Sequence, residues 1–266
     1  MTKGTGALRS PKDLRNYKIS TKISIPAQLP DTFVVAHSHI KDQGSVNSCV
    51  AHSVTEVFEA YNNINYSAGW IYGYRPISYY QGPGMHISEA LKTLKKVGCL
   101  TNNELNVNIE MDKIKELVDR NIEDYKQKAG QYKIFSYAYL GSLQEIKEAV
   151  FSSQLPVIIS ISVNIKSDIE LDKNFVAKVP SVYGGDHAMV CYGWNEKGLL
   201  IQNSWGKEWG NNGTFILPYD YPIAEAWAIN FNEKNKIIEK PNFYKIREIV
   251  NTIINYITNK FFKKEN

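Results

Sequence analysis

Apolar residues recur at the three-to-four-residue spacing of a helix in three segments of the first half of the chain. The first predicted helix begins behind two N-cap candidates, Asn47 and Ser48, so that Cys49 falls in its first turn. The second spans 88–97, with basic residues in its last turn and a glycine directly after it. The third spans about 110–128. The first half is therefore predicted to be helical.

Beyond Gln131 the pattern changes from helical spacing to alternation. After a short helix that starts at Ser142, apolar residues and serines alternate over 157–163, as in a strand with one face toward a core. Glycine-rich turns separate three further apolar runs, at 188–194, 199–201 and 214–217. Helices followed by strands, without regular βαβ alternation, predict an α+β fold of two lobes with a cleft between them.

These patterns divide the chain into four segments. Prolines and weak alternation predict an extended N-terminal arm at 1–30. A helical lobe at 31–130 carries the first predicted helix, and a β-rich lobe follows at 131–232. The last segment, 233–266, has an apolar stripe at helical spacing over 243–264, with lysines near its end. That pattern predicts a basic amphipathic helix, which packs on the catalytic body or on a partner helix or, as the alternative, lies on an anionic membrane surface.

Composition narrows the class of protein. The chain has 266 residues, 43% of them hydrophobic and 22% charged, which is typical of a globular protein. We see no apolar run long enough to span a bilayer and no secretory signal. Three cysteines cannot close a disulfide framework, so we expect a reducing, cytoplasmic location. The net charge of +4 arises in 234–266, where eight Lys/Arg face three Glu, a net +5. The remainder is near neutral and lacks a nucleic-acid-binding footprint.

The sequence contains one constellation suited to nucleophilic catalysis. A thiol attacks as thiolate, which a helix N-terminus and a neighbouring imidazolium both favour. Cys49 has the first, and His187, at the start of a predicted strand, offers the second. The side-chain carbonyl of Asn203 can accept from one imidazole nitrogen and leave the other facing the sulfur. Alone, Cys49 is more typical of a buried hydrophobe, but with these partners in order the catalytic interpretation is favoured.

Four motifs carry a resemblance to a known family. They read DQGSVNSCVAHS, GPGMHISEAL, GGDHAMVCYGW and NSWGKEWGNNG, in that order, and together they span about 29–230. With these motifs the sequence resembles the papain-family cysteine peptidases, as a divergent member. The resemblance implies a two-lobed papain-like fold, with a helical left lobe, an antiparallel β-barrel-like right lobe and the active site in the cleft between them.

The resemblance also implies roles for individual residues. Cys49 is the nucleophile, His187 the general acid/base and Asn203 the residue that orients it. Gln43 is the side-chain donor of the oxyanion hole, and Trp205 shields the His187–Asn203 hydrogen bond from water. The substrate pocket, whose apolar walls favour a hydrophobic side chain, is formed by Gly82, Gly84, Met85, Ile158, Ala188 and Trp205.

The sequence departs from the family pattern in two places. Val46 stands where relatives usually carry a cysteine and Val50 where they carry a tryptophan, which removes a common disulfide and alters the packing behind the nucleophile. No long helical propeptide precedes the catalytic region, so the usual zymogen arrangement is not encoded. We expect the arm at 1–30 to lie along or near the cleft instead.

The sequence therefore predicts a cysteine-type endopeptidase that hydrolyses peptide bonds through a thioester acyl-enzyme on Cys49. Its partner is a peptide or protein substrate, and the chemistry requires no metal or organic cofactor. Two alternatives stay open from the sequence. One is a transpeptidase or ligase of the same fold, which passes the acyl group to an amine, and the other is a catalytically silent peptide-binding protein.

Overall fold

The computed structural model describes residues 3–12, 29–76, 83–106, 111–164, 166 and 168–231. All of them belong to one compact unit, Met1–Asn235. The amphipathic helix predicted over 243–264 and part of the predicted arm lie outside the described residues. No described helix is both long and apolar enough to cross a membrane.

The described helices gather in the first half of the chain, apart from α6. Their bounds are α1 Cys49–Asn62, α2 Ala68–Gly73, α3 Ile87–Lys96, α4 Met111–Arg120, α5 Ile122–Ala129 and α6 Leu143–Ser153. Helix α1 is the central one: all of its residues are buried, against α2 and α3 on one side and strands on the other.

The single helix predicted over 110–128 is interrupted at Asn121, which separates α4 from α5. The Asn121 backbone leaves helical values, with φ −115° and ψ 20°. Its side-chain amide donates to Leu117 O at 3.0 Å. A short polar side chain that hydrogen-bonds nearby backbone competes with the helical hydrogen bonds, and the apolar stripe alone did not reveal this break.

Nine described strands form one sheet. Their bounds are β1 Ala7–Leu8, β2 Phe33–Val34, β3 Met85–His86, β4 Ser136–Leu140, β5 Val157–Asn164, β6 Tyr183–Asn195, β7 Gly198–Gln202, β8 Thr214–Pro218 and β9 Ile223–Asn230. The main path runs β3-β1-β6-β5-β9-β4, with β2 and β7 also on β6, and β8 on β7. All pairs are antiparallel except β1 with β3.

The sheet separates two hydrophobic cores. Alternation along β5 sends Ile158 into a core shared with α1, α2 and α3, and Ile159 into a second core on the other face. The first contains Trp70 and Leu91, and the second contains Trp194. The predicted α+β fold of two lobes is confirmed, because one core belongs mainly to helices and the other to strands and α6.

Candidate active site

Cys49 is the first residue of α1, and it has no exposed surface. The preceding residue, Ser48, was predicted as an N-cap, and it does precede the helix, but its hydroxyl caps no backbone N–H. The Ser48 Oγ lies instead 3.2 Å from His52 Nδ1, one helical turn further on. The sequence therefore predicted correctly where the helix begins, but not that the Ser48 hydroxyl contacts His52 instead of capping the helix.

His187 and Asn203 meet because β6 and β7 form a hairpin. The register pairs Val190 with Gln202, so residues just before 190 and just after 202 lie at the same end of the two strands. There His187 Nε2 lies 2.8 Å from Asn203 Oδ1. His187 Nδ1 is buried and has no hydrogen-bond partner in the described part of the chain. One ring nitrogen is therefore held, and the other is available to a reacting group.

Trp205 covers this histidine. The two rings stack with 4.5 Å between their centroids and 27° between their planes. Both residues are almost fully buried, as is Asn203. A hydrogen bond shielded from water in this way is electrostatically stronger than an exposed one, so the ring orientation of His187 is well defined.

Gln43 is fixed by Ser204, a residue that sequence reasoning missed. Ser204 Oγ donates to Gln43 Oε1 at 2.6 Å, and Gln43 N donates to Ser204 O at 2.9 Å. These bonds leave the Gln43 amide nitrogen to donate to Val46 O at 2.6 Å and to Gly4 O at 3.1 Å. The only sequence signal for Ser204 was its place between Asn203 and Trp205.

Burial dominates the electrostatics of the two central groups. It raises the pKa of the Cys49 thiol to about 11, although nearby backbone N–H groups, Ala188 among them, lower it in part. It lowers the pKa of His187 to about 4, although the hydrogen bond to Asn203 works in the opposite direction. The expectation that the helix N-terminus would favour the thiolate is thus outweighed by desolvation, and both groups are neutral in this arrangement.

The N-terminal arm is what covers the site. Its strand β1 lies between β3 and β6 and pairs with both. Ala7 is buried in the same core cluster as Cys49 and Met85, and its backbone N–H is one of the groups beside the thiol. This part of the arm therefore lies against the candidate active site.

The structure describes five of the six residues expected to form the substrate pocket. Gly82 lies outside the described residues. Met85 and Ala188 share a core cluster, and Gly84, just before Met85, has a φ of +112°. Trp205 lies on the His187 side of the cleft. Ile158 is fully buried, pairs with Val190 and lies in the same core cluster as Met85 and Ala188.

The β5 residue that pairs with Ala188 is Ser160, which also pairs with Glu225 on β9. Side chains of paired residues share a face of a sheet, so a hydroxyl and a carboxylate lie beside the apolar wall. Ser160 Oγ is buried and has no hydrogen-bond partner among the described residues. Glu225 is nearly buried, and burial raises its pKa. Strand register decides this arrangement, so the sequence pattern did not reveal it.

The two lobes, with Cys49 at the start of α1 and the His187–Asn203 hydrogen bond at one end of the β6–β7 hairpin, define a papain-like architecture. Residues 80–225 match the family model described as papain family cysteine protease, and the chain belongs to this family. The matched region is more than half of the chain and includes His187 and Asn203, but it begins after Cys49.

One relative is an uncharacterized peptidase C1-like protein of Acanthamoeba polyphaga mimivirus, 26% identical over an aligned length of 240 residues, and the match covers 80% of this chain and 71% of the relative. Among solved structures, the cysteine protease xylellain from Xylella fastidiosa is similar with a TM-score of 0.72 at 21% identity, over 87% of this chain and 97% of that one. Bromelain from Ananas comosus, solved with the E64 inhibitor, is similar with a TM-score of 0.57 at 14% identity, over 77% of this chain and 100% of that one. The structural likenesses concern the fold alone.

Proposed function

We propose that this protein is a cysteine-type endopeptidase that hydrolyses peptide bonds through a thioester on Cys49. The observation that carries the proposal is the His187–Asn203 hydrogen bond of 2.8 Å, with His187 Nδ1 left free beneath Trp205. An imidazole held through one nitrogen, with the other free, can exchange a proton with a thiol and with a leaving amine.

In the proposed mechanism, His187 Nδ1 takes the Cys49 proton and the sulfur attacks the peptide carbonyl carbon. The carbonyl π bond breaks, and its electron pair becomes an oxyanion that the Gln43 amide and the Cys49 backbone N–H stabilise. One such donor is worth about 3 kcal/mol in comparable sites. The oxyanion then collapses, the C–N bond breaks, and His187 returns the proton to the leaving amine. Water, deprotonated by His187, cleaves the thioester and restores the thiol.

The path of the arm supports cleavage within a chain over cleavage at its ends. Lys3 donates to the carbonyl of Trp205 at 2.8 Å, and Ser10 N donates to Glu225 Oε1 at 3.3 Å. Cys49 lies between these contacts, beside Ala7 N–H. An extended segment therefore passes through the cleft on both sides of the nucleophile, as a protein substrate must in an endopeptidase.

The test is cleavage of a peptide library by the full chain, read by mass spectrometry, with and without Cys49→Ala. Cys191→Ala is the matched control, because this thiol is equally buried but lies in the core on the other face of the sheet. We expect internal cleavage that Cys49→Ala abolishes and Cys191→Ala leaves intact. Products joined to an added amine would indicate a transpeptidase, and peptide binding without any product would indicate a silent binding protein.

A further inference from the structure

His52 lies on α1, one helical turn after Cys49, and the proposed mechanism gives it no part. Its side chain is 2% exposed. Burial lowers its pKa to about 4, so near neutral pH the ring is uncharged and carries one proton. That proton lies on either Nδ1 or Nε2, and its position decides what the ring can do.

The contacts of His52 Nδ1 indicate which nitrogen carries the proton. Nδ1 lies 3.0 Å from the backbone oxygen of Ser48 and 3.2 Å from the Ser48 hydroxyl. A carbonyl oxygen can only accept, so the shorter contact is a hydrogen bond only when Nδ1 carries the proton. The hydroxyl can accept from the same N–H, as in a three-centre bond. We therefore assign the proton to Nδ1 and the donor role to the ring.

The Ser48 oxygen accepts two hydrogen bonds from this one residue. The backbone N–H of His52 also donates to it, at 3.1 Å, in the regular pattern of an α-helix. The backbone of Ser48 itself has left helical values, with φ −108° and ψ 17°. Regular helix geometry therefore does not fix the peptide group that follows Ser48, and the bond from the ring adds a second restraint on it.

This peptide group carries the backbone donor of the proposed oxyanion hole. The Ser48 carbonyl and the Cys49 N–H are the two ends of one planar trans unit, and they point in opposite directions. Because Cys49 is the first residue of α1, its N–H has no acceptor within the helix, and it lies beside the thiol. Hydrogen bonds that share a chain polarise one another, so donation to the Ser48 oxygen strengthens the Cys49 N–H as a donor.

We propose that His52 is a positioning residue of the oxyanion hole, whose ring N–H holds and polarises the Ser48–Cys49 peptide group and thereby aims the Cys49 N–H. The proposal rests on the proposed function and adds a residue to that same site. His52 acts through the peptide group and exchanges no proton with the substrate. Its contribution should therefore appear where an oxyanion develops and not where the thiol reacts without one.

Two variants separate the ring N–H from the ring itself. His52→Phe keeps an aromatic ring but has no N–H, whereas His52→Asn loses the ring but keeps an amide nitrogen that can donate to the Ser48 oxygen. His37→Phe is the matched control, because His37 Nδ1 also lies 2.8 Å from a backbone oxygen, that of Ser38, and its ring packs on Tyr192, away from the site. Thermal unfolding of each variant verifies the fold.

The first measurement requires no enzymatic activity. In isotopically labelled, full-length wild type at neutral pH, the nitrogen chemical shifts of the His52 ring should show the proton on Nδ1. The amide proton of Cys49 should move upfield in His52→Phe and return in His52→Asn, because its polarisation is lost and then restored. A proton on Nε2 in wild type, or a Cys49 amide that does not move in His52→Phe, would overturn the proposal.

The second measurement compares peptide hydrolysis with alkylation of Cys49 by iodoacetamide, a reaction that develops no oxyanion. We expect His52→Phe to lower kcat roughly tenfold, which is less than the loss of about a hundredfold or more that follows removal of a whole oxyanion donor. KM and the alkylation rate should stay nearly unchanged, His52→Asn should recover most of the loss, and His37→Phe should behave as wild type. An equal loss of hydrolysis and alkylation in His52→Phe would overturn the positioning role.

The two measurements also distinguish failure of this proposal from failure of the proposed function. The expected spectra without any hydrolysis by wild type would retain His52 as the residue that holds the Cys49 N–H and would contradict the peptidase. Hydrolysis by wild type with the His52 proton on Nε2 would retain the peptidase and overturn the role of His52.

Discussion

Glu56, on the central helix α1, is expected to make the fold lose stability as pH rises above neutrality. Its side chain is 1% exposed, and burial raises its pKa to about 8. The positive charge of Lys41 and the side chain of Gln202 lower this pKa in part, while the carboxylate of Glu59 raises it further, and burial outweighs all of them. A protonated Glu56 is compatible with this burial, whereas an ionised one would be a buried charge that Lys41 compensates only in part.

The direction of the change in stability with pH follows from which state, folded or unfolded, binds the proton of Glu56. The ordinary pKa of the carboxyl is 4.5, so between pH 4.5 and about 8 the folded chain holds a proton that the unfolded chain has released. Stability therefore falls as pH rises through this window, by up to about 1.4 kcal/mol per pH unit. His52 and His187, whose pKa values burial lowers from 6.5 to about 4, act in the opposite direction, since their contribution rises between pH 4 and 6.5.

The histidine contribution is the same in wild type and in a Glu56 variant, so the difference between them between pH 6.5 and 8 reports the loss caused by Glu56, about 2 kcal/mol. Glu56→Gln keeps the shape of the side chain but has no proton to lose. The free energy of unfolding, measured in urea at pH 6.5 and pH 8, should therefore fall by about 2 kcal/mol less in the variant than in wild type.

The matched control for this measurement is Glu116→Gln, because that carboxylate on α4 is 70% exposed and its removal should leave the pH dependence unchanged. Parallel stability curves for wild type and Glu56→Gln would refute the argument. They would mean that Glu56 is ionised in the folded protein despite its burial.

Three further predictions follow from contacts around the site. Ser204→Ala removes the hydrogen bond that orients the Gln43 side chain, so kcat on a peptide substrate should fall roughly tenfold while KM stays nearly unchanged. An equal change in kcat and KM would contradict a positioning role for Ser204. Arg9→Ala removes the exposed ion pair with Asp186, which holds the arm beside Cys49, so alkylation of Cys49 by iodoacetamide should be faster than in wild type, whereas Lys12→Ala should have no effect. Gly98→Ala should destabilise the protein by more than about 2 kcal/mol in a urea titration. The reason is that the φ of Gly98 is +105° and an added Cβ would lie 1.9 Å from a backbone oxygen. A loss of stability below about 0.5 kcal/mol would contradict this prediction.

The periodicity of apolar residues was sufficient to predict the helical and the β-rich lobe, but not the helix break at Asn121 or the pKa of Cys49. The stripe from Val50 onward and the alternation around Ile159 follow directly from which faces are buried, so α1 and β5 could be predicted. The break at Asn121 depends on one side chain competing with the helix backbone, which an apolar pattern cannot show. Burial of Cys49 raised its pKa, against the expected direction, because desolvation outweighed the helix N-terminus.

The residues of the candidate site that stand in family motifs could be predicted from the sequence. The residues that meet only through strand pairing could not. His187 and Asn203 stand in recognisable motifs, and the hairpin that joins them follows from the intervening apolar runs. Ser160 and Glu225 are 65 positions apart in the sequence, and they meet only through the pairing of β5 with β9. The need for glycine at position 4 likewise depends on the fold, because a side chain there would clash with the backbone of Val46.

The central claim is that Cys49 carries the acyl group, and trapping that group tests it most directly. The full-length protein is mixed with an activated amino-acid ester, quenched in acid at short times and mapped by mass spectrometry. We predict a transient acyl adduct on Cys49 that forms before product is released and is absent from the same protein with Cys49→Ala. Product release without an adduct on Cys49, or undiminished in the Cys49→Ala protein, would contradict the account.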